Sequence, residues 1–505
     1  MKAAGSITSL GLCLVLLGPH PARAVDVPAT EPPGVSAADT PATDRAAPIA
    51  QALHQSFTVR GGLAMPALKC VKPQRSPLAV VRPGDPGPAP AGSEEEELPL
   101  TQRQELELKQ QALPAPSLEE IRKGLPHDEW LKVLHQRLRD ASSTRLARVG
   151  FWGGSHMAAE FFVSEVRKQM QGRYGAGGAG HINLLYGLPG IRLPVQALCR
   201  QGKWQNELAP RATGSPPIAA GLGLFMLSSR EPQASVEIDP VAANPANTAR
   251  SVTVHYLRQP EGGRLEIWID EANLAVVDTA GPQAVGSLQI NAQAGISRIK
   301  LVAQGNGPVS LLGAFADGEP GLVVDNFGIA GASGTFWTTV RSDLMQQAAT
   351  QRPYDLMVLA YGTNDITGAQ WDPQDYRRRF EATLEAMRQV TSQSMCVLIT
   401  PGDRVTSSRV RKTIRGKNGK TRRVVQTQYD LKTYPRRHME AAMIQREIGQ
   451  RYQCVTWDLS MEMRKAGGAY ALMKQNPPWM ARDLIHLTPL GYQEMAKAFL
   501  KWLRI

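Results

Sequence analysis

Four short apolar runs, at residues 146–152, 356–361, 396–400 and 454–459, constrain the fold of this chain more than any other feature. Each has the length of one strand, and apolar residues at helical spacing follow the first three. Ala158, Phe162, Val166 and Met170 come after the first, Phe380, Leu384 and Met387 after the second, and Met439, Ile444 and Ile448 after the third. A last helix is expected after Gly491. Near-continuous apolar strands alternating with helices predict an α/β fold with a parallel sheet covered on both faces. Successive strands of such a sheet lie about 4.8 Å apart. Cys396 and Cys454, each opening its strand, are therefore expected to form a disulfide.

Residues 191–320 break this rhythm. The segments 251–256, 264–269, 287–290 and 298–302 alternate apolar and polar residues with period two between Gly- and Pro-bearing turns. They predict an inserted antiparallel β-sandwich domain, separable from its flanks. The α/β part is then split into 117–190, with a helical lead-in around Trp130, Leu131, Val133, Leu134 and Leu138, and 321–505. Residues 25–116 are rich in Pro, Ala and Gly and carry the acidic run 94–97. Such a composition buries too little apolar surface to offset its ordering entropy, so a largely disordered tether is expected.

Residues 1–24 read as a signal peptide: Lys2, an apolar run over 7–17, then Ala22-Arg23-Ala24 as a small-x-small cleavage pattern. The run is too short for a permanent membrane anchor, and Cys13 has no small residue just before it, which argues against a lipid anchor. An exported protein, periplasmic or secreted and not integral to the membrane, is the expectation. Beyond the signal stand four cysteines, Cys70, Cys199, Cys396 and Cys454, an even number suited to an oxidising compartment. None is spaced as a CxxC metal or redox motif. The 57 Lys and Arg outnumber 45 Asp and Glu, giving +12, which favours acidic partners such as wall polymers or anionic lipid headgroups. No nucleic-acid-binding motif occurs, and nucleic acid is not an expected partner.

Chemistry gathers at the strand ends. Gly153-Gly154-Ser155-His156 follows the first strand directly and precedes a helix, so Ser155 stands where open α/β sheets place ligands and where helix amides attract negative charge. An ordinary helix cap would use the same residue. Tyr361-Gly362-Thr363-Asn364-Asp365 ends a second strand, as a plain turn or as a means of aiming the Asn364 amide. Val323-Val324 leads to Gly328-Ile329-Ala330-Gly331, where Gly331 could offer its backbone N–H. Asp483-Leu484-Ile485-His486 sets a carboxylate three residues before an imidazole, the spacing at which one can hold the tautomer of the other. A capping Asp beside a surface His would look alike. A metal pair fits less well, since no third His or Cys lies at ligand spacing.

Taken in order, Ser155, Gly331, Asn364 and Asp483-x-x-His486 form a set that resembles the SGNH, or GDSL-like, hydrolases over roughly 145–190 and 321–505. The resemblance implies a flavodoxin-like three-layer α/β/α fold. It also implies Ser155 as nucleophile, His486 as base, Asp483 as its orienter, and an oxyanion hole of the Ser155 and Gly331 amides with the Asn364 side chain. No metal or organic cofactor is implied. Gly154 stands where the family usually has Asp. Within the family the chain looks most like bacterial peptidoglycan O-acetylesterases with a carbohydrate-binding-module-like β domain between the serine and glycine blocks, where the 175–180 glycine loop also falls. Hydrolysis of O-acetyl esters on a cell-wall polysaccharide is the expected activity. The same triad would serve an acyltransferase, a lipase or a thioesterase, and a wall-binding protein with a decayed site is the non-enzymatic alternative.

Two features stand outside this set. Nine basic residues and no acidic ones lie between Arg404 and Arg423, with Asn418-Gly419 at a hairpin-turn position. The hairpin is either simply solvated or a clamp for an anionic wall or lipid surface. Trp204 and Trp268 could stack on sugar rings or pack in the β core.

Overall fold

The computed structural model describes residues 49–50, 54–59, 96–119, 127–209, 216–242, 249–368, 370–415, 418 and 420–505. The expected signal at 1–24 and most of the 25–116 segment lie outside these residues.

Five parallel strands form the central sheet, in the spatial order Gly321–Gly328, Leu146–Gly153, Leu356–Ala360, Met395–Ile399, Cys454–Trp457. Counted along the chain this is the order 2-1-3-4-5 of flavodoxin-like sheets. The period of two sorts each strand between two cores. Ala147, Val149 and Phe151 share one core with Phe162 and Phe499, while Trp152 belongs to the other, with Phe380, Leu384 and Met387. Leu356 and Val358 against Met357 and Leu359 repeat the division. Helices Asp128–Thr144, Phe161–Tyr174 and Pro489–Trp502 cover the first face; Ser342–Gln351, Pro373–Val390 and Thr433–Arg451 cover the second. Full burial of a side chain such as Phe151 contributes about 2–3 kcal/mol. Cys396 and Cys454 stand opposite each other in register and are joined by a disulfide, as expected.

The β segment enters between the first and second strands of this sheet. In one of its sheets Val195–Gln201, Ser235–Ala242, Ile299–Ala303, Arg264–Ile269 and Ala272–Asp278 are antiparallel neighbours. In the other they are Gln205–Leu208, Phe225–Ser229, Val309–Asp317, Ser251–Arg258 and Ala284–Ala292. Both sheets contribute to one apolar core, through Leu265, Ile267 and Leu301 on one side and Val254, Leu288 and Leu311 on the other. That core runs on into the α/β part through Trp152 and Phe327, whose rings stack 4.6 Å apart. Residues 47–505 accordingly form one compact unit.

A buried cation fastens the two parts. Arg352 pairs with Asp317 at the end of an inserted strand (2.8 and 2.9 Å) and with Asp325 of the central sheet (2.6 and 3.1 Å). Tyr354 also donates to Asp325 at 2.6 Å. Burial alone would raise the Asp325 carboxyl, but the Arg352 charge and these hydrogen bonds hold it below its ordinary value.

The structure adds to two expectations and corrects a third. Within the 25–116 segment, expected to be largely disordered, Ile49–Ala50 and His54–Val59 add parallel edge strands to the two inserted sheets. Glu96–Leu98 pairs with Thr421–Asp430, and Gln102–Gln111 is a helix with a Thr101–Gln104 capping box. Edge pairing is made by backbone groups, which a composition argument does not see. The helical lead-in takes in Leu118 and Glu119 and the helix Asp128–Thr144. The helix expected to run unbroken from Ala158 is interrupted: Ser155–Ala158 is a single turn, Glu160 takes φ +67°, and Phe161–Tyr174 starts anew.

Candidate active site

The loops after the first three strands converge because those strands are neighbours in the sheet. Gly154 joins Gly153 directly to Ser155. The turn after Gly321–Gly328 is tied to the first strand by Ile329 N–H donating to the Gly153 carbonyl (3.0 Å), and is closed by Ala332 N–H to Ile329 O (3.0 Å). Gly331 lies inside that turn at φ +80°, a conformation that favours glycine. Asn364, beyond the third strand, donates its side-chain amide to the Ala332 carbonyl at 2.9 Å. Ser155 and Asn364 thus follow the two strands that flank the switch point of the sheet, the usual crevice of such folds. The spacing also accounts for Gly154: a Cβ there would stand 2.9 Å from Asn364 Nδ2 and 3.3 Å from Ala332 O. A side chain at 154 would displace the amide it faces.

The chain's C-terminal part supplies the imidazole. Ser155 Oγ lies 2.8 Å from His486 Nε2, and His486 Nδ1 lies 2.7 Å from Asp483 Oδ2. The second carboxylate oxygen, Oδ1, accepts the backbone N–H groups of Ile485 and His486, each at 3.0 Å. Burial works to raise the Asp483 carboxyl, yet the hydrogen bonds from the His486 ring and from these two amides prevail and bring it down to about 2. The turn that holds both residues is closed by Ala481 N–H to His486 O (2.8 Å) and Leu484 N–H to Ala481 O (3.0 Å). Leu484 takes φ +57° with its side chain fully buried, and its carbonyl accepts from Val405 N–H at 3.1 Å. The arrangement suits proton transfer from a hydroxyl to an imidazole whose tautomer is fixed from behind. All six positions singled out in the sequence, Ser155, Gly154, Gly331, Asn364, Asp483 and His486, lie in these converging loops. Among the described residues no group of His, Cys, Asp or Glu is placed to hold a metal ion.

Sequence motifs do not reveal the supports. His156 Nδ1 shares a hydrogen bond of 2.9 Å with Tyr492 OH, and its ring lies 5.4 Å from that of His486. Burial, then the neighbouring His486, pushes His156 down to about 3, so it stays neutral beside the Ser155–His486 pair. Asp365 ties two loops together, accepting from Gly334 N–H (3.2 Å) and Gly362 N–H (3.0 Å); burial lifts its carboxyl to about 6 against the pull of Arg379. Glu160 pairs with Arg167 and accepts from Asn326, and Asn326 also donates to Met157 O at 2.8 Å. This buried set lies under the Ser155–Ala158 turn and breaks it from the next helix, so the amides at Ser155 act locally, without the dipole of a long helix. His156 could have been suspected from its adjacency to Ser155, whereas nothing local marks Tyr492 or Glu160.

Residues 293–494 match the GDSL-like Lipase/Acylhydrolase family. The match takes in Gly331, Asn364, Asp483 and His486, while Ser155 lies upstream of it. Among solved structures, a peptidoglycan O-acetylesterase superposes with a TM-score of 0.55 at 21% identity, over 74% of this chain and 96% of that one. A family two carbohydrate esterase from Cellvibrio japonicus gives 0.23 at 11% identity over 60% and 98%. An acetyl xylan esterase gives 0.24 at 17% over 36% and 79%. No curated protein sequence matches. The α/β part has the SGNH hydrolase fold, and family match and fold together support a carboxylic ester hydrolase.

Proposed function

We propose that this chain is an exported serine esterase that removes O-acetyl groups from a cell-wall polysaccharide, O-acetylated peptidoglycan, through Ser155, His486 and Asp483. The observation that carries the reading is the unbroken hydrogen-bonded sequence Ser155 Oγ, His486 Nε2, His486 Nδ1, Asp483 Oδ2, at 2.8 and 2.7 Å. In this reading Ser155 Oγ attacks the acetyl carbonyl carbon as its proton passes to His486 Nε2. The charge on the carbonyl oxygen is met by the amides of Ser155 and Gly331 and the side-chain N–H of Asn364. The bond to the sugar oxygen breaks and that oxygen takes the proton from His486. Water, deprotonated by His486, then attacks the acetyl-serine, acetate leaves, and Ser155 is restored. Asp483 keeps the proton on Nδ1 and offsets the positive charge that forms on the ring.

The substrate class is supported by the likeness in fold to a peptidoglycan O-acetylesterase over most of both chains and by a net charge of +12, suited to an acidic polymer. Export is supported by the signal pattern at 1–24 and by the Cys396–Cys454 disulfide, which persists in oxidising compartments. Among the described residues no helix is long and apolar enough to cross a membrane.

The test is acetate release from O-acetylated peptidoglycan, acetylated xylan and a long-chain ester, with wild type and Ser155→Ala side by side. Wild type, and not Ser155→Ala, is expected to release acetate, fastest from peptidoglycan and more slowly from xylan. A folded Ser155→Ala protein that releases acetate at the wild-type rate would overturn the mechanism, and preference for the long-chain ester would overturn the substrate.

A further inference from the structure

The basic hairpin is built into the site. Strands Thr406–Arg415 and Thr421–Asp430 pair along their whole length, from Thr406 opposite Asp430 to Arg415 opposite Thr421. No Asp or Glu occurs from 404 to 429. Its root is fixed: Val405 and Leu431 are buried in the core that also holds Leu484, and Val405 N–H donates to the Leu484 carbonyl at 3.1 Å, inside the turn that bears Asp483 and His486. Tyr429 packs edge-on against Tyr470 at 5.0 Å. The root of the arm is therefore joined to the turn that carries the imidazole.

Register sorts its residues by face. Arg409, Arg411, Thr413 and Arg415 share one face with Arg423 and Thr421 across the pair, all of them exposed. From Arg409 to Arg415 the row extends about 20 Å, at roughly 3.3 Å per residue. Glu96–Leu98 lies along the far edge at Val424, Val425 and Gln426, so among the described residues Thr406–Arg415 is the outer strand. A row of guanidinium forks of this length matches an extended polymer with repeated carboxylates, which arginine takes two oxygens at a time. A membrane surface fits less well, because among the described residues this face, which also takes in Thr427 and the buried Val425 opposite Arg409 and Arg411, has no exposed apolar residue to insert.

Resting on the esterase reading above, we infer that the 406–430 hairpin is a substrate arm that holds a carboxylate-bearing glycan strand along its Arg409–Arg415–Arg423 face and feeds its acetyl groups to Ser155. The test is the triple variant Arg409→Gln, Arg415→Gln, Arg423→Gln, with O-acetylated peptidoglycan, neutral acetylated xylan and 4-nitrophenyl acetate as substrates. KM for peptidoglycan should rise about tenfold, as expected for three exposed charge contacts. Added salt should raise the wild-type KM likewise. Xylan and 4-nitrophenyl acetate kinetics should change less than about twofold, which also reports that the variant is folded. An unchanged peptidoglycan KM would overturn the inference, as would an equal loss on xylan, which would make the arm a matter of shape. Loss of vesicle binding to phosphatidylglycerol with peptidoglycan hydrolysis intact would assign the arm to a membrane instead. Failure of wild type to cleave any of the esters would refute the esterase reading itself.

Discussion

Replacing Asp483 by Asn tests the site most sharply, because the structure dictates how the amide must sit. Oδ1 of Asp483 accepts two backbone amides at 3.0 Å each, so the oxygen of an asparagine is pinned there, at about 1 kcal/mol per bond. The NH2 group then falls where Oδ2 now meets His486 Nδ1 at 2.7 Å. A donor there requires Nδ1 to accept, which moves the ring proton to Nε2 and points an N–H at Ser155 Oγ in place of a lone pair. The base is lost although the contacts remain. The expected loss in kcat is up to about 10,000-fold, or about 5.5 kcal/mol of barrier. Stability should change far less. The fall from 3.8 to about 2 in the Asp483 carboxyl sets an upper bound of about 2.4 kcal/mol, and with the side chain 47% exposed, solvent screening reduces it to about 1 kcal/mol. The carboxyl is depressed on folding, so that contribution is complete above the unfolded value near 3.8 and disappears as pH falls through about 2. The assay is kcat and KM for 4-nitrophenyl acetate beside a thermal melt. A folded Asn variant within tenfold of wild type would show that the carboxylate does not set the tautomer.

The remaining predictions use the same geometry. Asn364→Ala should lower kcat about 100- to 1,000-fold, because one oxyanion donor is lost while two amides stay; equal kcat would remove Asn364 from the hole. Gly154→Ala should reduce kcat with little change in melting temperature, since its Cβ, 2.9 Å from Asn364 Nδ2, meets a side-chain tip that can move aside; full activity would refute that contact. Arg352→Leu should destabilise by about 3–5 kcal/mol in urea unfolding, leaving Asp325 buried without its cation and Asp317 with Arg148 alone, at 3.4 Å; a loss below about 1 kcal/mol would contradict it. Residues 191–320 expressed alone should give strand-dominated circular dichroism without a cooperative melt, because their core continues into Trp152 and Phe327 and their edge partners Ile49–Ala50 and His54–Val59 are missing; a sharp two-state transition would restore the separable domain.

Local pattern makes much of this fold legible. Apolar runs and helical spacing are properties of neighbouring residues, so the five strands of the parallel sheet and the helices bearing Phe380, Leu384 and Ile448 stand out in the sequence itself. The candidate site residues are legible because each sits in a short motif: Ser155, Gly331 and Asn364 just after strands, as expected, but Asp483 and His486 in the turn before the last helix and not at a strand end. The Cys396–Cys454 bridge is legible because adjacent strands begin alike. The helix after Ser155 looks continuous in its spacing, since nothing there reveals that Glu160 is drawn to Arg167 and Asn326, the latter from a distant segment. The edge strands Ile49–Ala50 and His54–Val59 escape notice because pairing there is made by backbone groups that composition does not register. By itself, then, the sequence determined which residues are candidates for the chemistry and which apolar runs form the parallel sheet. Only the tertiary structure decided that Ser155 and His486, 331 residues apart, meet at 2.8 Å, that a basic arm is rooted on the turn beside them, and that the β insert shares a core with its host. Contacts between segments distant in the chain depend on packing and register, which local spacing does not encode.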